Sequence, residues 1–502
     1  MKKTTIIISS FLALLTSCEK YLDVNDDPNY TKDKQEVLIL PAAQVSVANV
    51  FSADYGLLGS FWSQHWAQDN TSSQYKEFET YSLSGNFSSV DRSYSELYYG
   101  GLADNEIVLL KAGKEENWGL YLITATLKAF AFQYLVDLYD NVPYNEAFKG
   151  QDGILNPEIN TGQEVYDSIY SLLNNALSKD MSNFKAEEYK DSDLILGANL
   201  NDWKAFANTL KLRILLRQYY ARTSYVQSEL SGLLSNATFL TKDVLLVNFG
   251  GEDDDSKRNP LYETDQAQLG VKNNIRANAT FISYLKANND TRMSALFDSV
   301  GGDILGFVTG SYSISTSVLE GPDVIANPKW EHDMPVSLMT VAESELLLAE
   351  AYLRLNDEAS AKIHYENGVK SSFKRIGAEI GDLLTTSYAF PSDSAELQLE
   401  AIIMQKWVDA AEGQRGIESF IEQVRTGYPK VSEVSSSVNQ GYNLPSSYVP
   451  GTLIYSKQGA TGGKFPVRLP YPDTEMNFNS NAEKYKNLTD SDVLLTKVWW
   501  NK

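Results

Sequence analysis

The sequence offers few residues for metal or thiol chemistry. Only one cysteine and three histidines occur in 502 residues, so no disulfide can form within the chain. The histidines lie in unrelated contexts without the H-E-x-x-H spacing of a zinc site, and no G-x-S-x-G or Walker A motif occurs. No two of the many acids stand out as a glycosidase pair. We therefore predict no catalytic residue, no metal site and no cofactor.

Positive charge is also scarce. The 43 Lys and Arg stand against 65 Asp and Glu, which gives a formal net charge of −22. This excess of negative charge argues against binding to nucleic acid and against docking on anionic lipid. The acidic run at 252–255 could hold structural Ca²⁺, but it lacks the spaced ligands and the glycine of an EF-hand loop. A solvated acidic loop is the better interpretation of that run.

Uninterrupted apolar runs of 18 residues, long enough to span a membrane, are absent, and the apolar stretch near the N-terminus is short. Lys2 and Lys3 precede an apolar stretch at 6–15, and residues 15–18 read Leu-Thr-Ser-Cys. This order is typical of a secretory signal peptide, and its end resembles the lipobox of bacterial lipoproteins. We predict that residues 1–17 are cleaved and that Cys18 carries fatty acyl chains, which anchor the protein on a membrane. The alternative is an ordinary signal peptide with an incidental cysteine, which the position of the only thiol argues against.

Helical patterns dominate after a predicted lipidated tether at 18–40. We interpret residues 41–502 as one mainly α body with long irregular stretches at about 225–335 and 427–502. Alanines at helical spacing in two consecutive segments would let antiparallel helices approach closely, as in a tetratricopeptide-like hairpin. The expected helices lie at 118–139, 161–179, 202–222, 338–355, 358–376 and 394–412.

Aromatic residues make up 12% of the chain, and exposed rings beside amide and carboxyl groups are what a glycan site needs. In the densest stretch, Trp62 and Trp66 are four residues apart, so a helix would place both rings on one face. The alternative is that this face packs in the core, which is common for aromatics at helical spacing. The candidate glycan-binding residues are Trp62, Trp66, Gln68, Asp69, Tyr75 and Trp330.

Several short segments, in a fixed order behind the lipobox, carry a family resemblance. The first reads Asp-Leu-Tyr-Asp-Asn-Val-Pro-Tyr, the second is an alanine-rich helix, and the last is an arginine–proline segment. Together they resemble the SusD/RagB family of outer-membrane nutrient-binding lipoproteins, most closely its SusD-like branch. Asn141 stands where the family usually has glycine, an exchange that still suits a turn. The segments lie at 137–148, 339–351, 406–408, 425–429 and 466–476.

The resemblance implies a helical, tetratricopeptide-like scaffold on the surface of a Gram-negative outer membrane. It also implies a partner, a SusC-like TonB-dependent transporter on which the lipoprotein sits as a lid. Such a protein captures an oligosaccharide or polysaccharide and hands it over for import, and it performs no chemistry itself. Two other roles stay open: binding of a non-sugar nutrient such as peptide, or a structural role in the same complex. A glycosidase activity is disfavoured.

Overall fold

The computed structural model of the chain describes residues 35–87, 89–247, 249–250, 257–270, 274–312, 324–412, 414–436, 441–486 and 489–501. Cys18, the predicted signal peptide and the acidic run at 252–255 lie outside the described residues. The first described helix begins at Gln35, inside the segment predicted as a tether.

The fold is mainly α, as the sequence predicts. Two π-helical turns, Val50–Tyr55 and Leu97–Leu102, join α1 to α2 and α4 to α5. The helices are α1 (Gln35–Asn49), α2 (Gly56–Trp62), α3 (Lys76–Thr80), α4 (Asp91–Glu96), α5 (Ala103–Lys114), α6 (Trp118–Tyr139), α7 (Gly162–Leu177), α8 (Leu200–Arg217), α9 (Thr223–Asn236), α10 (Pro260–Tyr262), α11 (Ala279–Ala287), α12 (Arg292–Leu296), α13 (Val341–Arg354), α14 (Glu358–Ile376), α15 (Ala395–Ala410), α16 (Gly416–Thr426), α17 (Asp473–Phe478) and α18 (Asp490–Leu495).

Local capping residues explain where the expected helices begin. The Thr161 hydroxyl accepts a hydrogen bond from the Glu164 backbone N–H at 3.3 Å, and the Glu164 carboxylate accepts one from the Thr161 N–H at 2.8 Å. This capping box satisfies two amide groups that the first turn of α7 leaves without helical partners. Helices α8 and α13 begin with simple N-caps: the Asn199 side chain accepts the N–H groups of Asn201 and Asp202, and the Thr340 hydroxyl accepts that of Glu343.

The hairpin of α13 and α14 forms as predicted, and small residues explain how closely its helices approach. A Cβ atom on Gly368 would lie 2.7 Å from Leu346 Cγ, so a larger residue would push the two helices apart. Ala349 and Ala361 are fully buried in the same interface. The turn at 355–357 is short, which is typical of tetratricopeptide-like hairpins.

Two helical stretches among the described residues, Gln35–Trp62 and Trp118–Tyr139, are long and apolar enough to cross a membrane. Length and composition alone are weak evidence, because the core helix of a globular protein passes the same test. In Trp118–Tyr139, 94% of the most apolar window is buried inside the fold. This helix, α6, is therefore the central core helix, against which α5, α7 and α8 pack.

Charged side chains also lie in the helical core. Arg217 on α8 donates to Asp137 on α6 at 3.0 Å and to both carboxylate oxygens of Glu418 on α16 at 2.7 Å. A third partner is Glu422. Buried charges are tolerated only when paired and hydrogen-bonded. The network therefore fixes how three helices that are distant in sequence pack together.

Short strands connect the irregular parts of the chain. Each sheet among the described residues has two strands, and three of the four pairs are antiparallel while β7–β8 is parallel. The stretch at 225–335, predicted as irregular, also contains most of α9 and all of α10, α11 and α12. The strands are β1 (Trp66–Gln68), β2 (Val142–Pro143), β3 (Ile159–Asn160), β4 (Val244–Leu246), β5 (Ile275–Ala277), β6 (Val336–Met339), β7 (Val431–Ser436) and β8 (Leu453–Ser456), paired as β1–β5, β2–β3, β4–β6 and β7–β8.

Candidate functional site

The two tryptophans predicted as an exposed platform lie in the core. Trp62 is 2% exposed, and its indole N–H donates to the Phe78 carbonyl at 3.1 Å. Trp66 is 3% exposed and packs edge-on against Trp330, with 4.9 Å between ring centroids. Trp330 is itself 8% exposed. The expected exposure of these three rings is therefore wrong, and the alternative of core packing describes them.

The shared helical face expected for Trp62 and Trp66 does not form either. Helix α2 ends at Trp62, Gln64 adopts a left-handed conformation with φ 57°, and Trp66 opens strand β1. Gln64 is held in this turn by its side chain, which bonds both the N–H and the carbonyl of Ile454. A tertiary contact almost 400 residues away in sequence thus replaces the expected helical turn.

The predicted polar residues of the same stretch are buried and have partners inside the fold. Asp69 accepts from Arg276 Nε at 2.6 Å, and Tyr75 donates from its hydroxyl to Asp265 at 2.7 Å. The Gln68 side chain accepts from the Tyr75 N–H at 2.6 Å. These groups link the loop at 68–75 to the region around β5. In this arrangement they support loops and present no free donors or acceptors to a ligand.

Glu79 is the acid at the centre of this support. Its two carboxylate oxygens accept the backbone N–H groups of Gln68 and Gly310, both at 2.7 Å. Burial raises the pKa of Glu79 to about 7, although the two hydrogen bonds act in the opposite direction. A single side chain thus ties α3 to β1 and to the loop before residue 312.

A different part of the molecule combines aromatic floor, apolar walls and accessible polar groups. A groove of about 430 Å³ lies between α11, the chain at 387–405 and the loop at 449–452. Tyr284 and Tyr388 stack at 21°, with 6.3 Å between centroids, and the Tyr365 hydroxyl donates to the Tyr388 carbonyl at 3.1 Å. We call this cavity the tyrosine groove; its floor is formed by Tyr284, Tyr365 and Tyr388. Tyr365 and Tyr388 are only 1% and 3% exposed, so a ligand would contact mainly the walls of the groove.

Hydrogen bonds and a buried ion pair support the floor of the groove. The Tyr388 hydroxyl donates to Asp290 at 2.6 Å, and Asp290 pairs with the fully buried Arg292, also at 2.6 Å. Arg292 in turn donates to Gln405, which lines the groove, at 2.8 Å. The pKa of Tyr388 is raised, chiefly by burial, so its hydroxyl keeps its proton and remains a donor.

The walls of the tyrosine groove are open to solvent and amphipathic. Leu397 is 42% exposed and Val449 is 62% exposed, and both supply apolar surface to the groove. Glu400 and Lys430 form an ion pair at 2.8 Å at the rim, where both retain capacity for further hydrogen bonds. A ligand with apolar faces and many hydroxyl groups fits such a lining.

Sequence reasoning missed the tyrosine groove because no local pattern points to it. Tyr284 is on α11, Tyr365 on α14 and Tyr388 in the following loop, and only tertiary packing unites them. Among the described residues, no group of three or more His, Cys, Asp or Glu could hold a metal ion. The structure therefore offers no support for a calcium site in that part of the chain.

A comparison with models of protein families shows which family the chain belongs to. The model of a SusD-like family, described as "Starch-binding associating with outer membrane", matches residues 28–449. The chain therefore belongs to the SusD-like family, as its sequence segments indicate. None of the curated proteins is significantly similar to it in sequence.

Solved structures show the same fold. A SusD homologue from Bacteroides thetaiotaomicron is 22% identical with a TM-score of 0.71, over 94% of this chain and 99% of its own. A SusD homologue from Bacteroides uniformis is 21% identical with a TM-score of 0.68, over 92% and 99%. A chitin-binding SusD homologue from Flavobacterium johnsoniae is 18% identical with a TM-score of 0.71, over 92% and 98%.

Proposed function

We propose that the protein captures a glycan at the outer membrane and delivers it for import without altering it chemically. The family description, which names starch binding and association with the outer membrane, supports this role. The chitin-binding relative from Flavobacterium johnsoniae has the same fold and is also described as a glycan binder. The observation that carries the proposal in this chain is the tyrosine groove, which offers apolar walls beside polar rim groups.

A glycan would use both kinds of surface in the tyrosine groove. The C–H faces of a sugar ring would lie against Leu397 and Val449, and its hydroxyls would bond Glu400 and Lys430 at the rim. A volume of about 430 Å³ suits a short stretch of chain rather than a whole polymer. The protein would therefore hold a polysaccharide at one or a few residues while the rest remains in solvent.

Glycan binding is tested by calorimetry on the mature chain with Cys18→Ala, against a panel of plant, fungal and bacterial polysaccharides. We expect at least one polysaccharide to bind. Binding of peptides with no saccharide binding would favour the non-sugar nutrient instead. Release of reducing sugar from a bound glycan would establish a glycosidase and contradict the proposal of binding without chemistry.

We further propose that acyl chains on Cys18 hold the protein on the cell surface, where it forms a lid on a SusC-like TonB-dependent transporter. More than one acyl chain gives durable anchoring, whereas one binds only marginally. The native chain should co-purify with a large β-barrel from detergent-solubilised outer membranes, and Cys18→Ala should move it to the soluble fraction. Purification of the acylated chain alone would contradict the transporter, and membrane retention of the variant would contradict the anchor.

A further inference from the structure

A second cavity, of about 560 Å³, lies on the helical scaffold between α7, α8 and α9. It shares no residue with the tyrosine groove. Its walls are rich in amide, hydroxyl and ammonium groups rather than aromatic faces. We call this cavity the lysine pocket; its principal lining residues are Tyr170, Asn174, Lys204, Asn208, Lys211 and Gly232.

Two lysines supply positive charge to the pocket. Lys204 and Lys211 are seven residues apart on α8, so they share one face with their Cα atoms about 10 Å apart along the axis. Both are partly buried, yet within the described ranges no carboxylate oxygen lies within 4.0 Å of either ammonium group. In a protein of net charge −22, two such cations beside each other are available to an outside anion.

The one acid in the pocket is already engaged. Glu229 accepts the Tyr170 hydroxyl at 2.9 Å, and the Lys211 ammonium lies 5.2 Å from the centre of the Tyr170 ring. Burial lowers the pKa of Lys211, against the opposing charge of Glu229. A carboxylate that entered the pocket would therefore gain a partly desolvated cation as its partner.

Gly232 opens the wall that faces these lysines. It lies inside α9, where glycine is unfavourable relative to alanine, and an added Cβ would meet no atom within 4 Å. Packing therefore does not require glycine at this position. The missing side chain leaves room for a ligand between α8 and α9.

The remaining groups indicate the class of ligand. Asn208 donates to the Thr238 carbonyl at 3.1 Å and keeps its amide oxygen as an acceptor, while Asn174 is exposed at the mouth of the pocket. Primary amides match the alternating N–H and C=O groups of an extended peptide. A sugar ring would find no free aromatic face, because Lys211 covers the ring of Tyr170. The lysine spacing corresponds to about three residues of extended chain.

We propose that the lysine pocket is a second binding site, which receives an extended acidic peptide segment of a partner protein through Lys204 and Lys211. The site is separate from the tyrosine groove, so it does not depend on glycan binding. Carboxylates pair with the two ammonium groups, and the asparagine amides bond the peptide backbone.

Fluorescence anisotropy of a labelled hexaglutamate peptide tests the site, on the mature chain with Cys18→Ala at low ionic strength. Lys204→Gln with Lys211→Gln removes both charges, and Gly232→Leu fills the space without changing charge. We expect each change to weaken hexaglutamate binding at least tenfold. Lys362→Gln with Lys374→Gln, on the exposed surface of α14, matches the charge change and should leave binding within twofold.

The other outcomes overturn the proposal. If hexaglutamate does not bind, or binds the pocket variants as well as the parent chain, the lysine pocket is not the site. If the α14 control weakens binding equally, the attraction is a diffuse effect of net charge. If hexagalacturonate competes as well as unlabelled hexaglutamate, the pocket takes carboxylates without preferring peptide. If all three variants keep the glycan affinity of the parent chain, a loss of hexaglutamate binding concerns the lysine pocket alone and not the proposed function.

Discussion

Arg425 on α16 and Glu350 on α13 form a two-point ion pair inside the helical scaffold. Arg425 Nη1 lies 2.7 Å from one carboxylate oxygen of Glu350, and Nη2 lies 2.6 Å from the other. Both side chains are fully buried. Burial alone would raise the pKa of Glu350, but the charges of Arg425 and Arg354 outweigh it and hold the pKa below its usual value. The ionised pair therefore joins two helices of different hairpins.

Arg425→Met should destabilise the fold strongly. It removes the two-point partner of Glu350, which still pairs with Arg354, and one of the three cationic partners of Glu422. Breaking a buried ion pair by removing one member costs about 3–5 kcal/mol. Urea unfolding followed by circular dichroism measures the loss. Lys370→Met breaks an exposed pair with Glu366 and should cost less than about 1 kcal/mol. Equal small costs for both variants would contradict a structural role for the buried pair.

Trp66→Ala should destabilise the chain by about 3–5 kcal/mol, because it removes a buried ring that packs on Trp330. Thermal melting measures the effect. Tyr99→Ala removes a ring that is 70% exposed and should leave the melting temperature nearly unchanged. An unchanged melting temperature for Trp66→Ala together with lost glycan binding would restore the platform that the sequence suggested.

The sequence predicts the helices better than the site, for a physical reason. Helix α7 follows from a capping box and a repeating apolar face, which are signals within a few residues of each other. The position and burial of Trp66 depend instead on the turn at Gln64, which is fixed by hydrogen bonds to Ile454, a residue far away in the sequence. The tyrosine groove likewise needs three elements to converge. Such contacts leave no periodic trace in a single sequence.

Glu79 should make stability depend on pH. The pKa of Glu79 is about 7 in the fold, and its usual value is 4.5. Between these two pH values Glu79 is protonated in the folded chain and ionised in the unfolded chain. The stabilisation is full below the usual pKa and is lost as the pH rises through the folded pKa. Relative to Glu79→Gln, which does not titrate, the free energy of unfolding should fall by on the order of 3 kcal/mol between pH ~4.5 and ~8.

Urea unfolding at a series of pH values measures this difference. Glu77→Gln, on the same short helix but partly exposed, removes one charge without touching the bonds to Gln68 and Gly310. Glu77→Gln should keep the pH dependence that Glu79 gives to the parent chain, because Glu79 and its two hydrogen bonds remain. If the free energies of unfolding of the parent chain and Glu79→Gln differ by the same amount from pH ~4.5 to ~8, Glu79 is not the titrating group.

The tyrosine groove can be altered without damage to the core. Leu397 is 42% exposed and Glu400 makes only a rim ion pair, so Leu397→Ala with Glu400→Ala should leave the melting temperature within a few degrees. Leu155→Ala with Glu187→Ala makes the same two changes on exposed residues that do not line the groove. The two double variants therefore differ in position and not in chemistry.

Calorimetric titration of these two double variants with the polysaccharide that the parent chain binds tests the central claim most directly. If the tyrosine groove holds the glycan, Leu397→Ala with Glu400→Ala loses apolar contact and a hydroxyl partner, and Kd should rise at least tenfold. The control pair should bind as the parent chain does. Unchanged affinity in the groove variant, with its fold intact, would contradict the assignment of the glycan to this groove.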